Sequence, residues 1–522
     1  MIDYRDTVFL PKTDFPMRAG LPKKEPEIMA RWDAIGMYER IMKERADAPA
    51  WILHDGPPYA NGHIHAGTAG NKILKDIVLR IQTMRGFRCP YVPGWDCHGL
   101  PIEWKVEEAY RSEGKNKETL SIAKVRSDCR EFAKNWLDIQ RGEFKRLGGF
   151  GDWDNPYTTM TFENEARITA EIHKFACSGA LYRGVKPILW SVVEGTALAE
   201  AETEYYDHKS PTIEVRFPVA AAACSKIEGA DIVIWTTTPW TIPGNRALAC
   251  GPDFAYGVYE VTEAGEDATA QKGDRLVLMT ALAEGVRTRA KIVAWTKIAD
   301  LTGEDLVGTV CRHPFAGQGY DFDVPVLSAD FVTEDTGTGF VHIAPGHGAD
   351  DYVLGMKNGI DVPETVGPDG LFLDDVPLFA GQAVLTDDGK DGPANGAVIK
   401  ALFACKKLLA KGSLVHSYPH SWRSKAPLIF RATPQWFISM KGLRSNAMAA
   451  IDEIRFHPPQ SRNRIRSMVE NRPDWCISRQ RAWGVPIAIF VHKKTRSILT
   501  DPAVLKRTVD LFRSDGADAW FT

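Results

Sequence analysis

The sequence predicts an α/β protein in which a parallel sheet covered by helices is interrupted by a β-rich insert, and three observations carry that prediction. Residues 48–206 run strand, helix, strand, helix. Residues 207–412 change texture to short β-like runs separated by Gly, Pro and Asp. Helical sequence of the first kind returns over 413–522. At 522 residues the chain exceeds a single hydrophobic core and implies roughly two to four domains.

Composition excludes several classes. Charged residues at 25% and hydrophobic ones at 44% describe an ordinary soluble globular protein. The 64 Lys and Arg against 67 Asp and Glu give a net charge of −3, so a nucleic-acid partner must be met by a local patch. Arg462, Arg464, Arg466, Arg472, Arg479 and Arg481 fall within twenty residues and form one such candidate. A solvated helix face or core-edge ion pairs explain them equally well. The nine cysteines never occur as C-x-x-C, which argues against a zinc knuckle, and their scatter points to a reducing compartment. No apolar run reaches membrane-spanning length, and the start, MIDYRDTVFLPKTDFPMRAG, lacks the apolar core of a signal peptide. Cytoplasm is the expected location.

Residues 1–47 read as an arm with one helix over 25–45, whose Ile28, Met29, Trp32, Ile35 and Met42 suggest a packed face. Residues 51–54 form a short strand-like run, which Asp55-Gly-Pro-Pro and Asn61-Gly then break. A helix follows, with Ile73, Leu74, Ile77, Val78, Ile81 and Met84 on one face, Lys72, Lys75, Asp76 and Arg80 elsewhere, and Gly86 as its stop. Its first turn therefore holds His65, Gly67 and Thr68. Unpaired N–H groups and the positive dipole end collect there and favour phosphate. Gly67 would let a nucleotide approach the backbone, and His65 and Thr68 can both donate to an anion. An ordinary capped helix is the bland alternative.

A second strand, 89–92, ends in PGWDCHGLPIE, which places Asp96 and His98 beyond a strand end, where ligands bind in such sheets. Asp96 suits an ammonium group, or caps a helix that begins near Ile102. Helical patterns follow over 119–147 and 163–178. In the insert, strands are expected at 213–217, 232–235, 276–279 and 340–343, with a surface loop over 363–396. WTTTPWTIPGN (235–245) puts Thr236, Thr237 and Thr238 directly after a strand, and TGTGFVHIAPGHGADDY (336–352) puts His342 at a strand end before Asp350 and Asp351. Turn bonding for the threonines and a satisfied core histidine are the plain readings. His342 and His347 near Asp350 and Asp351 also suggest a metal-dependent hydrolase. Past the insert, NRPDWCISRQRAWGVPI carries Trp475, Ser478, Arg479, Gln480 and Trp483; Arg479 suits a phosphate and both tryptophans suit packing.

Taken together, DGPPYANG with His65-Ala66-Gly67-Thr68, GWDCHGLPIE, WTTTPWTIPGN and WCISRQRAWG resemble the class I aminoacyl-tRNA synthetases, in the form carried by the isoleucine-specific members. The resemblance implies a Rossmann-like catalytic domain (48–206 and 413–522) interrupted by an editing domain (207–412). It implies ATP- and Mg2+-dependent activation of isoleucine, transfer to tRNA(Ile), and hydrolysis of Val-tRNA(Ile), by a monomer with no membrane partner. By the same resemblance His65 and Thr68 are catalytic, and Gly56, Pro57, His65, Gly67, Thr68 and Gly94 hold the nucleotide. Pro57, Tyr59, Asp96, His98 and Gln480 bind the amino acid, Asp96 taking its amino group. The editing set is Thr236, Thr237, Thr238, Trp240, Asn245, His342 and Asp351, with Asp351 on the amino group of the mischarged acyl end.

A second active site has a physical motive: valine lacks one methylene of isoleucine, worth only ~1 to 3 kcal/mol of discrimination, a figure that comes from this family itself. The chain departs from the family's His-Ile-Gly-His pattern at Ala66 and Thr68, so a neutral hydroxyl replaces an imidazole. The family's Lys-Met-Ser-Lys-Ser loop and helical anticodon-binding domain are not found in these 522 residues, so weak isoleucine activation is expected of this polypeptide alone. A non-ligating tRNA-editing or tRNA-binding fragment and a valyl- or leucyl-type enzyme are the alternatives.

Overall fold

The computed structural model describes residues 4–9, 13–14 and 18–522. The chain divides into two compact units, Met1–Lys174 with Arg481–Thr522, and Phe175–Gln480.

In the first unit the expected single arm helix is two, Leu21–Ala34 and Met37–Glu44. Gly36 adopts φ +55 between them, a left-handed conformation that ends one helix and re-aims the next. Residues 1–3, 10–12 and 15–17 of the expected arm lie outside the described residues.

Three extended segments then pair in parallel: Ala50 with Arg88, Tyr59 with Asp96, and Gly94–Trp95 with Tyr157–Thr158. The direction expected of the sheet is present, but residues 51–54 and 89–92 are not strands. Pro57, Pro58, Pro90 and Pro93 have no N–H to give a ladder, so isolated bonds do the joining, Trp51 N to Arg88 O (2.8 Å) and Asp96 N to Pro58 O (2.8 Å).

The helix Ala66–Met84 forms as the spacing predicts but turns the other way. Leu79 is its buried residue, while Ile73, Leu74, Ile77, Val78, Ile81 and Met84 are all exposed. Polar anchors set this orientation. Lys72 and Lys75 both bond Asp55, Asp76 accepts from Phe150 N (3.0 Å), and Arg80 donates to Gly148 O (2.6 Å) while stacking on the Phe150 ring at 4.0 Å. The helices Ile122–Arg146 and Phe162–Cys177 match the sequence pattern closely. Ile122–Arg146 buries Val125, Cys129, Ala133, Leu137 and Phe144 in a core shared with Trp95, Ile102, Trp153 and Trp483.

The second unit is built on a mixed sheet of ten strands among the described residues. Asp231–Thr236 pairs with Thr203–Ala221 on one side and with Phe340–Ile343 on the other. From Phe340–Ile343 the pairing continues through Ala247–Cys250, Asp323–Ser328 and Val310–Arg312 back to Thr203–Ala221, which closes a ring of six strands. Such closure removes exposed edges. Val215, Phe217, Ile232, Ile234, Leu248 and Val326 pack in its core. All four strands expected in the insert are present.

The boundaries drawn near 206 and 412 fall inside Thr203–Ala221 and Leu408–Ser421, two long strands paired from Thr203↔Ser421 to Val215↔Leu408. The 363–396 segment, expected at the surface, instead buries Val366, Phe372, Phe379, Val384 and Leu385. Its turns, with Gly370, Gly381 and Gly389 at positive φ, let irregular backbone carry apolar side chains inward. A four-stranded antiparallel sheet of Trp475–Cys476, Ile429–Ile438, Leu181–Ser191 and Thr196–Ala197 completes the unit. Among the described residues no helix is long and apolar enough to cross a membrane.

Candidate functional site

The helix start in the first unit is capped by its own histidine. His65 is the N-cap, and its Nδ1 accepts from Gly67 N (3.1 Å) and Thr68 N (3.4 Å). The proton of the neutral ring therefore sits on Nε2, a donor on an exposed side chain. Gly67 is required for this: a Cβ there would lie 2.9 Å from Cε1 and 3.0 Å from Nδ1 of His65. The amides expected to meet phosphate are thus covered by the ring, and His65 must swing away to offer them. Thr68 is half-buried in the same first turn.

The loop before the helix is held from the side. Gln140 donates from Nε2 to the carbonyls of Tyr59 (3.0 Å) and Gly62 (2.6 Å) and accepts from Trp95 Nε1 (2.9 Å). Glu143 accepts from Ile64 N (3.0 Å) and bonds His63. Asp55 anchors the loop's other end on Lys72, Lys75 and Tyr91, the last at 2.7 Å. Burial alone would raise its carboxyl, but these three bonds hold it below the usual range.

Pro57, Tyr59, Gly94 and Asp96 come together on neighbouring extended segments. Tyr59 pairs with Asp96, and a Cβ on Gly94 would sit 3.1 Å from the Tyr157 ring and 3.5 Å from Pro57 Cβ, so only glycine fits without displacement. Gly56 has open space around it. Asp96 Oδ1 accepts from His98 N (3.3 Å), and burial raises its carboxyl despite that bond and one from Thr159. Asp96 is no helix cap, since Gly99 fills that place for Leu100–Ser112. His98 turns inward, its Nε2 3.3 Å from buried Glu165 and its ring edge-on to Trp483 at 5.0 Å. Gln480 belongs to the second unit, where its amide is spent on Ala197 N (3.0 Å), Thr196 Oγ1 (3.3 Å) and Gln435 Oε1 (3.1 Å). Arg479 there pairs with Glu202 at 3.0 Å. Trp483 is buried as a packing residue, whereas Trp475 is 48% exposed.

In the second unit the two motifs of the insert meet around a cavity of about 370 Å³, lined by Thr236, Thr237, Thr238, Thr241, His342 and Asp351 among others. Asn245 Nδ2 donates to Ala247 O (2.9 Å) and to Nδ1 of His342 (2.8 Å). His342 must then carry its proton on Nε2, which donates to Thr241 Oγ1 (2.9 Å), and Thr241 passes a hydrogen bond to the Thr238 carbonyl (2.8 Å). Thr238 N donates to Thr236 Oγ1 (3.1 Å), and those two hydroxyls lie 3.2 Å apart. Burial pushes His342 down to about 3, so it is a neutral pillar.

Asp351, in the first turn of Ala349–Lys357, accepts from Ala344 N (2.8 Å); burial, with Asp350 adding to it, pushes its carboxyl up to about 6. Trp240 N donates to Asn395 Oδ1 (3.1 Å), and its ring stands edge-on to His347 at 4.8 Å. Both ring nitrogens of His347 are engaged, with Phe430 O (2.8 Å) and Thr365 Oγ1 (2.6 Å). With His342 equally committed, neither imidazole offers a lone pair to a metal, and no three His, Cys, Asp or Glu converge on one point among the described residues. The metal-hydrolase reading loses its ligands.

With this geometry in hand, comparison with known proteins is decisive: the family described as tRNA synthetases class I (I, L, M and V) matches residues 27–522. The chain belongs to that family.

Among curated class I relatives, it is 52% identical to the isoleucine–tRNA ligase of Bradyrhizobium diazoefficiens over 99% of this chain and 55% of that protein. It is 53% identical to those of Brucella abortus and Caulobacter vibrioides, over 100% of this chain and 56% of each. The chain spans about half the length of these relatives. A solved leucine counterpart, the agnB2 LeuRS of Agrobacterium radiobacter K84 in a ternary complex with tRNA and LeuAMS, is 18% identical with a TM-score of 0.36, covering 94% of this chain and 53% of that one. That likeness fixes no residue correspondence.

Several residues that shape these two candidate sites leave no local mark in the sequence. Gln140 and Glu143 sit in an amphipathic helix as two polar letters among many, about 80 positions from the loop they hold. His313, which donates to Ile242 O (3.0 Å) behind the Pro239–Gly244 turn, gave no local signal. Thr241 was inside a quoted motif; its position one helical turn after Thr238 was the available clue.

Proposed function

We propose that this chain carries the Rossmann-like nucleotide fold and the editing insert of an isoleucine–tRNA ligase. The observation that carries the reading is 52–53% identity to isoleucine–tRNA ligases over essentially every residue of the chain. Isoleucine's carboxylate would attack the α-phosphate of ATP and expel pyrophosphate. A ribose hydroxyl of tRNA(Ile) would then displace AMP. In this reading His65 Nε2 and the Gly67 and Thr68 amides meet phosphate, beside Gly56, Pro57 and Gly94. Asp96, with Pro57, Tyr59 and His98 around it, holds the amino group. Magnesium finds no convergent acidic set among the described residues and would travel on the nucleotide's phosphates. A soluble cytoplasmic monomer fits this role.

The threonine cavity suits hydrolysis of Val-tRNA(Ile). Asp351 would hold the ammonium of the acyl group, and a water would attack the ester carbonyl. The tRNA hydroxyl then leaves, while the Thr237 and Thr238 hydroxyls and nearby amides stabilise the developing oxyanion. At about 370 Å³ the cavity is of ligand-binding size.

A second reading, a tRNA-editing module that does not ligate, is favoured by one contrast. At the threonine cavity His342 is held on both ring nitrogens by Thr241 and Asn245, while the helix start holds a neutral Thr68 and a self-capping His65. The test is deacylation of Val-tRNA(Ile) and Ile-tRNA(Ile) by the purified chain. Selective hydrolysis of the valyl ester is expected; equal or absent hydrolysis of both overturns the editing assignment.

A further inference from the structure

Residues 441–472 fold as a surface helical hairpin in the second unit, Lys441–Glu453 and Ser461–Glu470, with Ile451 as the buried residue of the two helices. The segment holds seven Lys and Arg against three acids, a net charge of +4, while the remaining 490 residues sum to −7. Arg462 and Arg466, one turn apart, both bond Asp452 of the other helix, Arg466 at 2.9 Å, and so clamp the hairpin with one carboxylate. Arg444 donates to the Arg472 carbonyl (2.6 Å) and ties the two ends. Arg464 lies about 200° round the helix from Arg462, away from Asp452. Lys441, Arg455, Arg464 and Arg472 are exposed and have no ion pair among the described residues. The hairpin's two aromatic rings, Phe456 and His457, lie in the turn between the helices, so neither helix offers a platform for stacking bases. Lys441 and Arg464 on ring-free helices, with Arg455 in the turn and Arg472 just past the second helix, match a phosphate backbone rather than unpaired nucleotides.

We propose that the 441–472 hairpin is the docking surface for the sugar-phosphate backbone of a base-paired RNA stem. The inference rests on the reading that this chain handles tRNA, and it names the surface that does so. The test compares tRNA(Ile) binding across salt concentrations for the chain and for an Arg455→Glu/Arg464→Glu/Arg472→Glu variant, with Lys272→Glu, on an exposed turn elsewhere, as control. The triple variant is expected to bind at least about tenfold more weakly, with the slope of log K against log salt reduced by roughly 2 to 3; the control should match the parent. Because the three side chains are exposed and unpaired, the variant should melt at the parent's temperature.

A blunt RNA duplex should displace tRNA from the parent where single-stranded oligo(U) does not. Unchanged affinity and slope in the triple variant overturn the surface assignment alone. Equal competition by oligo(U) overturns the duplex specificity. If the unsubstituted chain binds no tRNA, both this inference and the function it rests on fall, before any substitution is made.

Discussion

The two candidate sites solve opposite problems. Around the threonine cavity every ring nitrogen of His313, His342 and His347 is engaged by protein, so the walls are set before a ligand arrives. At the helix start of the first unit the ring of His65 lies over its own amides on an exposed turn, and a ligand must displace it. The contrast teaches that buried polar wiring produces preorganisation, whereas an exposed cap trades readiness for helix stability.

Asp351 offers the sharpest break of that comparison. Asp351→Asn removes the charge proposed to hold the ammonium of the acyl group and should cost roughly 10²- to 10³-fold in Val-tRNA(Ile) deacylation, about 3 to 4 kcal/mol. The sign on stability is the reverse. A carboxyl raised in the fold to about 6 contributes stability that is complete below its unfolded value and is lost as pH rises through 6. The asparagine variant should therefore melt no lower than the parent at pH 7.5 while failing to deacylate. In the parent, deacylation should fall as pH drops below 6 and Asp351 takes up its proton. A variant that loses stability and activity together would show Asp351 to be a packing residue.

Next in size is the imidazole wiring. His342→Leu leaves Thr241 and Asn245 without their partner in a buried site and should cost about 2 to 4 kcal/mol, read as a lower denaturation midpoint. The same histidines make the second unit acid-labile. Burial pushes His313 and His342 down to about 3 and His347 to about 4, so unfolding takes up protons that the native state refuses. Stability should fall from near pH 6.5 downward. Asp351 opposes this, so roughly two protons should be taken up per unfolding event near pH 5. In the first unit Gln140→Leu should cost about 1 to 3 kcal/mol, because two loop carbonyls and the Trp95 N–H lose one shared partner. An effect equal to that of His342→Leu would erase the distinction between the two sites.

How much of this was legible in the sequence follows from which forces leave a local mark. Periodicity marked the helices at 122–146 and 162–177 and the strands of the insert, because each buries one face of a regular element. It misjudged which face of the 66–84 helix is buried, since ion pairs of Asp55, Asp76 and Arg80 decide that and they depend on tertiary partners. Apolar runs at 51–54 and 89–92 read as strands, yet the prolines around them remove the ladder's donors. The threonine and His342 motifs were legible as candidates. Their shared hydrogen-bond chain was not, because Thr241 and His342 meet across 101 positions.

The smallest expected effect separates the two duties of His65. Its Nδ1 caps the helix, which is worth about 1 kcal/mol, and its Nε2–H is available to a ligand. Serine caps as well as any residue but reaches less far, so His65→Ser should keep the melting temperature and lose nucleotide affinity. His65→Ala should lose both, with stability down by about 1 kcal/mol. Alanine also uncovers the Gly67 and Thr68 amides, so if those amides rather than Nε2 supply the phosphate contact, His65→Ala should bind ATP more tightly than His65→Ser. Calorimetric titration of Mg-ATP into the two variants reads that order directly. Equally weakened binding by both variants would mean that the ring itself, and not the helix start it covers, is the nucleotide's partner.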